Sequence, residues 1–481
     1  MPSRLGLLLF LVSACAPSLF AGESDALLRQ RGEAFVAAFN AQGGALDAFA
    51  RNHLESRLSR DGKTSVFAAR MQEEFKELGP VDRHSIQIVN GGRAVFVFCR
   101  FGNTGTWQNY QFRVLESDES RLQLIFRAVA VEPMERPATP IESTASLRWL
   151  KSFQAGLEEQ HPFSGVALVR KKGAEVFSLV KGLENASLET PMSRTTRMGM
   201  ASGSKMFTAI AILQLEAAGK VSLSDPLIKY LKDFPDQEFA RRATLHQLLT
   251  HTAGAGDYWD DAYEKAWGSI TRLPQMLPFV LSHLRDSPAG EFSYSNSGYI
   301  LLGLVVEAVT GDSYYDYVQT RILDPAGMTS TGFPIREDAT RGVALPYDPE
   351  MDAGAVKKGS YLPVTLGARG TSAGGAFTTV DDMMRFADAL RSGKLLDAPR
   401  LALLTGKHVS YAGPDSWYGY GTMIEEKKGA VSWGHGGSAR GTQFEFRVFP
   451  DLDTVMVVIS NYNTIAANEM ASALDELIRN H

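Results

Sequence analysis

The chain has 481 residues, 44% of them hydrophobic, 21% charged and 10% aromatic, a composition that excludes an intrinsically disordered protein. Its length exceeds one ordinary core and predicts two domains, one of them large. A net charge of −5, with no Lys/Arg tract and no P-loop, excludes the basic field that a nucleic-acid partner needs.

The N-terminus reads as a targeting segment over 1–21. Arg4 precedes the apolar run 5–12, small residues follow, and the run is too short to anchor as a membrane-spanning helix. Two exits are legible. Val12-Ser13-Ala14-Cys15 resembles a bacterial lipobox, which would lipidate Cys15, whereas Leu19-Phe20-Ala21 before Gly22 suits an ordinary signal peptidase. The lipobox is preferred, against the plainer reading of Cys15 as a small apolar residue of the signal. Both exits predict export to the bacterial periplasm or beyond, with membrane contact only through a lipid on Cys15. The one other cysteine, Cys99, then has no partner within the mature chain and reads as a buried small apolar residue.

From 24 to 132 the pattern is helix, helix, then strands: helices over 26–39 and 66–78, strands over 86–89, 94–101, 107–116 and 121–132. Helices followed by a run of strands predict a small α+β domain. It loosely resembles the NTF2-like cone fold, and its role is not readable. The Pro-rich stretch at 133–145 predicts a linker.

The second unit, 146–481, is β-rich at its ends and helical in its middle. A hairpin over 163–171 and 174–181 opens it; strands over 431–433, 442–448 and 454–460 and a helix over 465–478 close it. One antiparallel sheet built from both ends, flanked by helices and carrying a helical insert, is the economical α+β arrangement. Within the insert, Ser202-Gly203-Ser204-Lys205 opens a helix with apolar Phe207, Ile210, Leu213 and Ala217, stopped by Gly219.

On a helix, positions i and i+3 are surface neighbours, so Ser202 and Lys205 set a hydroxyl nucleophile beside a possible base. The pattern is cheap: chance supplies about one or two copies in a chain of this length. A second copy, Ser178 and Lys181, falls in a strand, where i and i+3 face opposite ways. Two further segments carry polar groups suited to a cleft. Tyr294-Ser295-Asn296 lies in a turn-forming stretch before an apolar helix over 300–309; Tyr294 could relay a proton, or accept one if cations lower its pKa, and Asn296 could hydrogen-bond Lys205 and a substrate amide. Taken alone, this segment reads more readily as a helix-entry turn with a packed Tyr. In Trp433-Gly434-His435-Gly436-Gly437-Ser438 the glycines let a substrate backbone approach a strand edge, and His435 would face the substrate as donor or cation.

Together the three pieces resemble the serine β-lactamase and penicillin-binding-protein superfamily, marked by S-x-x-K, Y-x-N and a K-T-G variant. Tyr294-Ser295-Asn296 points to its class C-like branch, and the stretch Leu245 through Gly254, together with Ser372-Ala373-Gly374-Gly375, is similar to further segments of that branch. The resemblance implies a β-lactamase/DD-peptidase-like fold and acyl transfer without a cofactor. Ser202 would be the nucleophile, Lys205 and Tyr294 would share the proton, and Asn296, His435, Gly436, Gly437 and Ser438 would bind substrate, with Ser202 N–H and Ser438 N–H holding the oxyanion. It also makes His246 and His251 structural; they lie five apart and lack a third metal partner. The departure is His435, where class C β-lactamases carry Lys. A histidine is only partly charged near neutral pH, which favours a peptidase or esterase acting on a small acylated substrate. A β-lactamase or DD-peptidase is the alternative, and a ligand-binding protein with a vestigial hydrolase domain is the alternative of another class.

Overall fold

The structure, a computed structural model, describes residues 25–54, 66–89, 94–104, 107–115, 118–130, 136–284, 289–336, 342–352, 355–411, 413 and 415–480. The expected targeting segment over 1–21, with Cys15, lies outside them, as do linker residues 133–135. Among the described residues no helix is long and apolar enough to cross a membrane.

The N-terminal unit has helices α1 (Asp25–Ala41), α2 (Gly44–His53) and α3 (Val66–Leu78) and strands β1 (Val81–Val89), β2 (Ala94–Phe101), β3 (Trp107–Leu115) and β4 (Asp118–Ala130). The strands form an antiparallel meander in chain order. Phe35, Phe39 and Phe49 of the helices pack against Phe101, Tyr110 and Phe112 of the sheet, and Cys99 is buried in this core with its thiol pushed up by burial. Helix α2 is an element the sequence pattern did not reveal.

The second unit starts slightly earlier than its predicted boundary, with helix α4 (Thr144–Gln160), capped by Ser143 accepting from Ser146 N–H. Strands β5 (Gly165–Lys171) and β6 (Ala174–Lys181) form the expected hairpin. After the helical middle come β7 (Val409–Ser410), β8 (Ser416–Tyr418), β9 (Met423–Lys427), β10 (Ala430–Ala439), β11 (Thr442–Phe449) and β12 (Thr454–Ser460), then α8 (Ile465–Arg479), named after three helices of the middle, α5 (Lys205–Ala217), α6 (Asn296–Thr310) and α7 (Val380–Arg391). These eight strands make one antiparallel sheet in the order β7-β8-β9-β10-β11-β12-β5-β6. The second unit's two ends thus meet where β12 pairs with β5, as the pattern predicted, with three outer strands added.

The alternation of the strands dictates the layers. Val166, Leu168, Val457 and Ile459 join the core formed with α5, α6 and α7, while Ala167, Val169, Met456 and Val458 join the one formed with α4 and α8. Helix α5 is apolar almost all round because it runs through the larger core.

Candidate active site

Ser202 does not open α5 itself. It sits in a single 3-10 turn, Ala201–Ser204, that precedes it, and Ala201 is held at φ +44°, in the left-handed region. Such a conformation is unfavourable for a non-glycine residue and persists only when its surroundings enforce it. Here they do: Ala201 C=O accepts from Gly375 N–H (3.0 Å) and from the Ser204 hydroxyl (3.1 Å). Ser202 keeps partial exposure at this corner, whereas Lys205 behind it is 0% exposed.

The Lys205 amine has three partners: Ser202 Oγ at 3.2 Å, Asn296 Oδ1 at 2.7 Å and the Ala373 carbonyl at 2.6 Å. Burial pushes its pKa down to about 7, against the pull of the Asp257 carboxylate, which favours the ammonium. A lysine so placed changes charge near neutrality. The Tyr294 hydroxyl hydrogen-bonds Ser202, and its ring lies 4.9 Å from the Lys205 amine. Burial raises the Tyr294 pKa, so the sequence-based option of a phenol acidified by cations is corrected: Tyr294 stays protonated near neutral pH.

Asn296 is the first residue of α6, not part of the preceding loop. Ser295 caps that helix by accepting from Gly298 N–H (3.0 Å). The Asn296 amide donates to Asp257 Oδ2 at 2.9 Å, which fixes which end of the amide faces Lys205. His251 supports the same turn: its Nδ1 accepts from Ser295 N–H (3.0 Å), and its ring packs 4.3 Å from Tyr294 and 4.6 Å from Tyr418. His246 bonds Tyr420 (2.7 Å). Both histidines are structural here, and no group of three or more His, Cys, Asp or Glu among the described residues could hold a metal.

The third wall is β10. It pairs with β9 from Ala430 to Gly434 and with β11 from Trp433 to Ala439, so from His435 on it pairs with β11 alone. Gly437 lies flat against the nucleophile's backbone: a Cβ there would come 2.3 Å from Met200 O and 3.0 Å from Ser202 N. Only glycine lets the strand approach this closely. Gly436 and Ser438 flank it, partly exposed, and Ser438 Oγ accepts from the Gln443 amide (3.0 Å).

His435 departs from its expected role. Its side chain is 0% exposed; Nδ1 donates to the Gly436 carbonyl, so the neutral ring must accept at Nε2 from the Tyr418 hydroxyl (3.0 Å). Burial, with Lys205 and Arg447 nearby, drives its pKa down to about 3. It is therefore a neutral wall residue at physiological pH, not the partial cation the sequence suggested.

Residues 150–478 match the family described as Beta-lactamase. The chain belongs to the β-lactamase family of serine hydrolases. It is 30% identical over 262 residues to the putative penicillin-binding protein PbpX of Bacillus subtilis (strain 168), covering 54% of this chain and 62% of that one. Against the D-aminopeptidase of Brucella anthropi the figures are 29% over 287 residues, 58% and 52%. The chain thus spans less than two thirds of either relative. Among solved structures, the penicillin binding protein from Bacillus halodurans superposes with a TM-score of 0.61 at 32% identity, covering 70% of this chain and 100% of that one. The D-amino acid amidase from Ochrobactrum anthropi SV3 shares the fold at 21% identity, with a TM-score of 0.56 over 69% of this chain and 98% of that one.

Of the residues that sequence reasoning named, the fold brings Ser202, Lys205, Tyr294, Asn296 and Gly437 together, with Gly436 and Ser438 on either side of Gly437 along β10. Sequence reasoning missed Asp257, the Ala373 carbonyl and Tyr418. Asp257 lies just past the Leu245 through Gly254 segment, but nothing there marks it as the partner of Asn296.

Proposed function

We propose that the protein is an exported serine hydrolase that forms an acyl-enzyme on Ser202 and cleaves an ester or a D-amino-acid amide or peptide. The observation that carries this reading is the Lys205 amine, buried, within hydrogen-bond reach of Ser202 Oγ and poised to titrate near pH 7. A general base is most effective when its pKa lies near the working pH.

In this mechanism neutral Lys205 takes the Ser202 proton as Oγ attacks the carbonyl carbon. The oxyanion rests between Ser202 N–H and Ser438 N–H, where Gly437 brings strand and nucleophile together. Tyr294, still a phenol, passes a proton to the leaving group, and Lys205, held by Asn296, returns the balance. Water then attacks the acyl-enzyme through the same groups in reverse. Similarity to the D-aminopeptidase of Brucella anthropi supports the amide branch. The sequence of 1–21 supports export, and a small acylated molecule is the expected partner.

Labelling with a fluorophosphonate, located by peptide mass, tests the reading. An adduct on Ser202, with turnover of p-nitrophenyl esters or D-amino-acid amides, is expected. Labelling elsewhere, or none, would favour a binding role. A stable penicilloyl adduct without nitrocefin turnover would move the assignment to a penicillin-binding protein.

A further inference from the structure

The open edge of β10 beside Ser202 is where an extended substrate can lie, and the group that meets it there is not a cation. Opposite Gly436, on β11, stands Glu445. Its Oε2 is 2.7 Å from the point a Cβ at position 436 would occupy, so the missing side chain of Gly436 is what admits the carboxyl to the strand edge. The Glu445 side chain is 21% exposed. Its Oε1 accepts from Arg447 Nε at 2.5 Å, and Oε2 has no hydrogen-bond partner among the described residues.

The surroundings sharpen this carboxyl's preference. Arg447, 6% exposed, is shared with Glu425, whose Oε1 lies 3.8 Å from its Nη2, and Glu425 also holds Lys427 at 2.8 Å. One buried guanidinium therefore serves two carboxylates. Burial raises the Glu445 pKa and the nearby Glu425 raises it further, so an added cation would favour its charged form. Tyr411, which interacts electrostatically with both Glu445 and Tyr294, links this cluster to the proton-handling side of the cleft. The positively chargeable groups around this edge are engaged: Arg447, 6% exposed, by Glu445 and Glu425, Lys205 by Ser202, Asn296 and Ala373, and His435 as a neutral ring between Gly436 and Tyr418.

We propose that Glu445 is a specificity-determining residue that selects substrates carrying a cationic amine and rejects those carrying a carboxylate at the position beside Gly436. An ammonium laid along the edge meets Oε2 in a partly desolvated site, where a charge-assisted hydrogen bond is strong. A carboxylate meets a like charge, and the one guanidinium beside it, Arg447, is buried and already shared by Glu445 and Glu425, which is repulsive specificity of the kind that excludes wrong partners. The proposal rests on the hydrolase reading above and names its substrate class.

The test uses three esters that differ only in one terminal group, an ammonium, a methyl or a carboxylate, placed in one series on the acyl part and in another on the leaving group. In one series the wild-type kcat/KM should fall in the order ammonium, methyl, carboxylate, with an ammonium-to-carboxylate ratio of about tenfold or more that shrinks as salt is added. Glu445→Gln should collapse that ratio toward one. A ratio unchanged in Glu445→Gln, or a wild-type ratio at or below one in both series, would overturn the proposal and leave Glu445 as a partner of Arg447 only. Should Glu445→Gln fail to fold by circular dichroism, the wild-type ratio and its salt dependence decide alone. Should no ester be hydrolysed, the hydrolase reading fails separately, and calorimetric binding of the corresponding non-cleavable amides decides selectivity by the same order.

Discussion

Ser-x-x-Lys occurs twice in this chain, and the two copies occupy opposite environments. Ser178 lies on β6, the last strand of the sheet, exposed, with Lys181 three residues on along an extended backbone that turns alternate side chains to opposite faces. Ser202 lies on a 3-10 turn at the mouth of α5, and Lys205, one turn on, is 0% exposed with three polar partners. Spacing makes the pair only where the backbone is helical, and burial then turns the lysine from a surface cation into a group that can accept a proton. The lesson is that the motif's chemistry resides in what encloses it.

The largest expected effect separates the copies outright. Ser202→Ala should lower kcat by about 10⁶-fold, the scale seen when a serine nucleophile is removed. Ser178→Ala should leave kcat unchanged and shift stability by less than about 0.5 kcal/mol. Ester hydrolysis and thermal unfolding of both variants measure this; comparable loss in both would erase the distinction. Next comes the enclosure itself. Tyr294→Phe removes the hydroxyl bonded to Ser202 and should cost about 10²- to 10⁴-fold in kcat with the fold intact by circular dichroism. Gly437→Ala forces a methyl to within 2.3 Å of Met200 O and should displace the Ser202 N–H, lowering kcat by about a hundredfold. Full activity in Gly437→Ala would mean that β10 does not help bind the oxyanion.

How far the site was legible follows the same division. Strands with long continuous apolar runs, such as Gly165–Lys171 and Thr454–Ser460, could be read because both their faces are buried in separate cores. The strands Val409–Ser410, Ser416–Tyr418 and Met423–Lys427 were too short for a period to show. That gap had a chemical consequence. Tyr418 comes from one of those unread strands and hydrogen-bonds His435 Nε2, and burial there keeps the ring neutral; hence the charge expected of His435 could not be read from its flanking glycines. Helix α4 went unread because it starts within the predicted Pro-rich linker. Ser202 and Lys205 were legible because their relation is local. Asp257 was not, because nothing in sequence says which carboxylate faces Asn296 across 39 residues.

Asp257 supplies the subtlest test. If Lys205 is the base in its neutral form, kcat/KM should rise as pH passes through about 7 and level off above it, since the ammonium below that point cannot accept the Ser202 proton. The Asp257 carboxylate favours the ammonium and so raises the Lys205 pKa against burial. Asp257→Asn removes that charge while its amide oxygen can still accept from Asn296, so the midpoint should move to lower pH with the plateau little changed. A merely structural Asp257 predicts the opposite signature, a lowered plateau at an unmoved midpoint. The two outcomes divide a charge acting on Lys205 from a hydrogen bond holding Asn296, and only the first makes the enclosure of Ser202 an electrostatic device as well as a steric one.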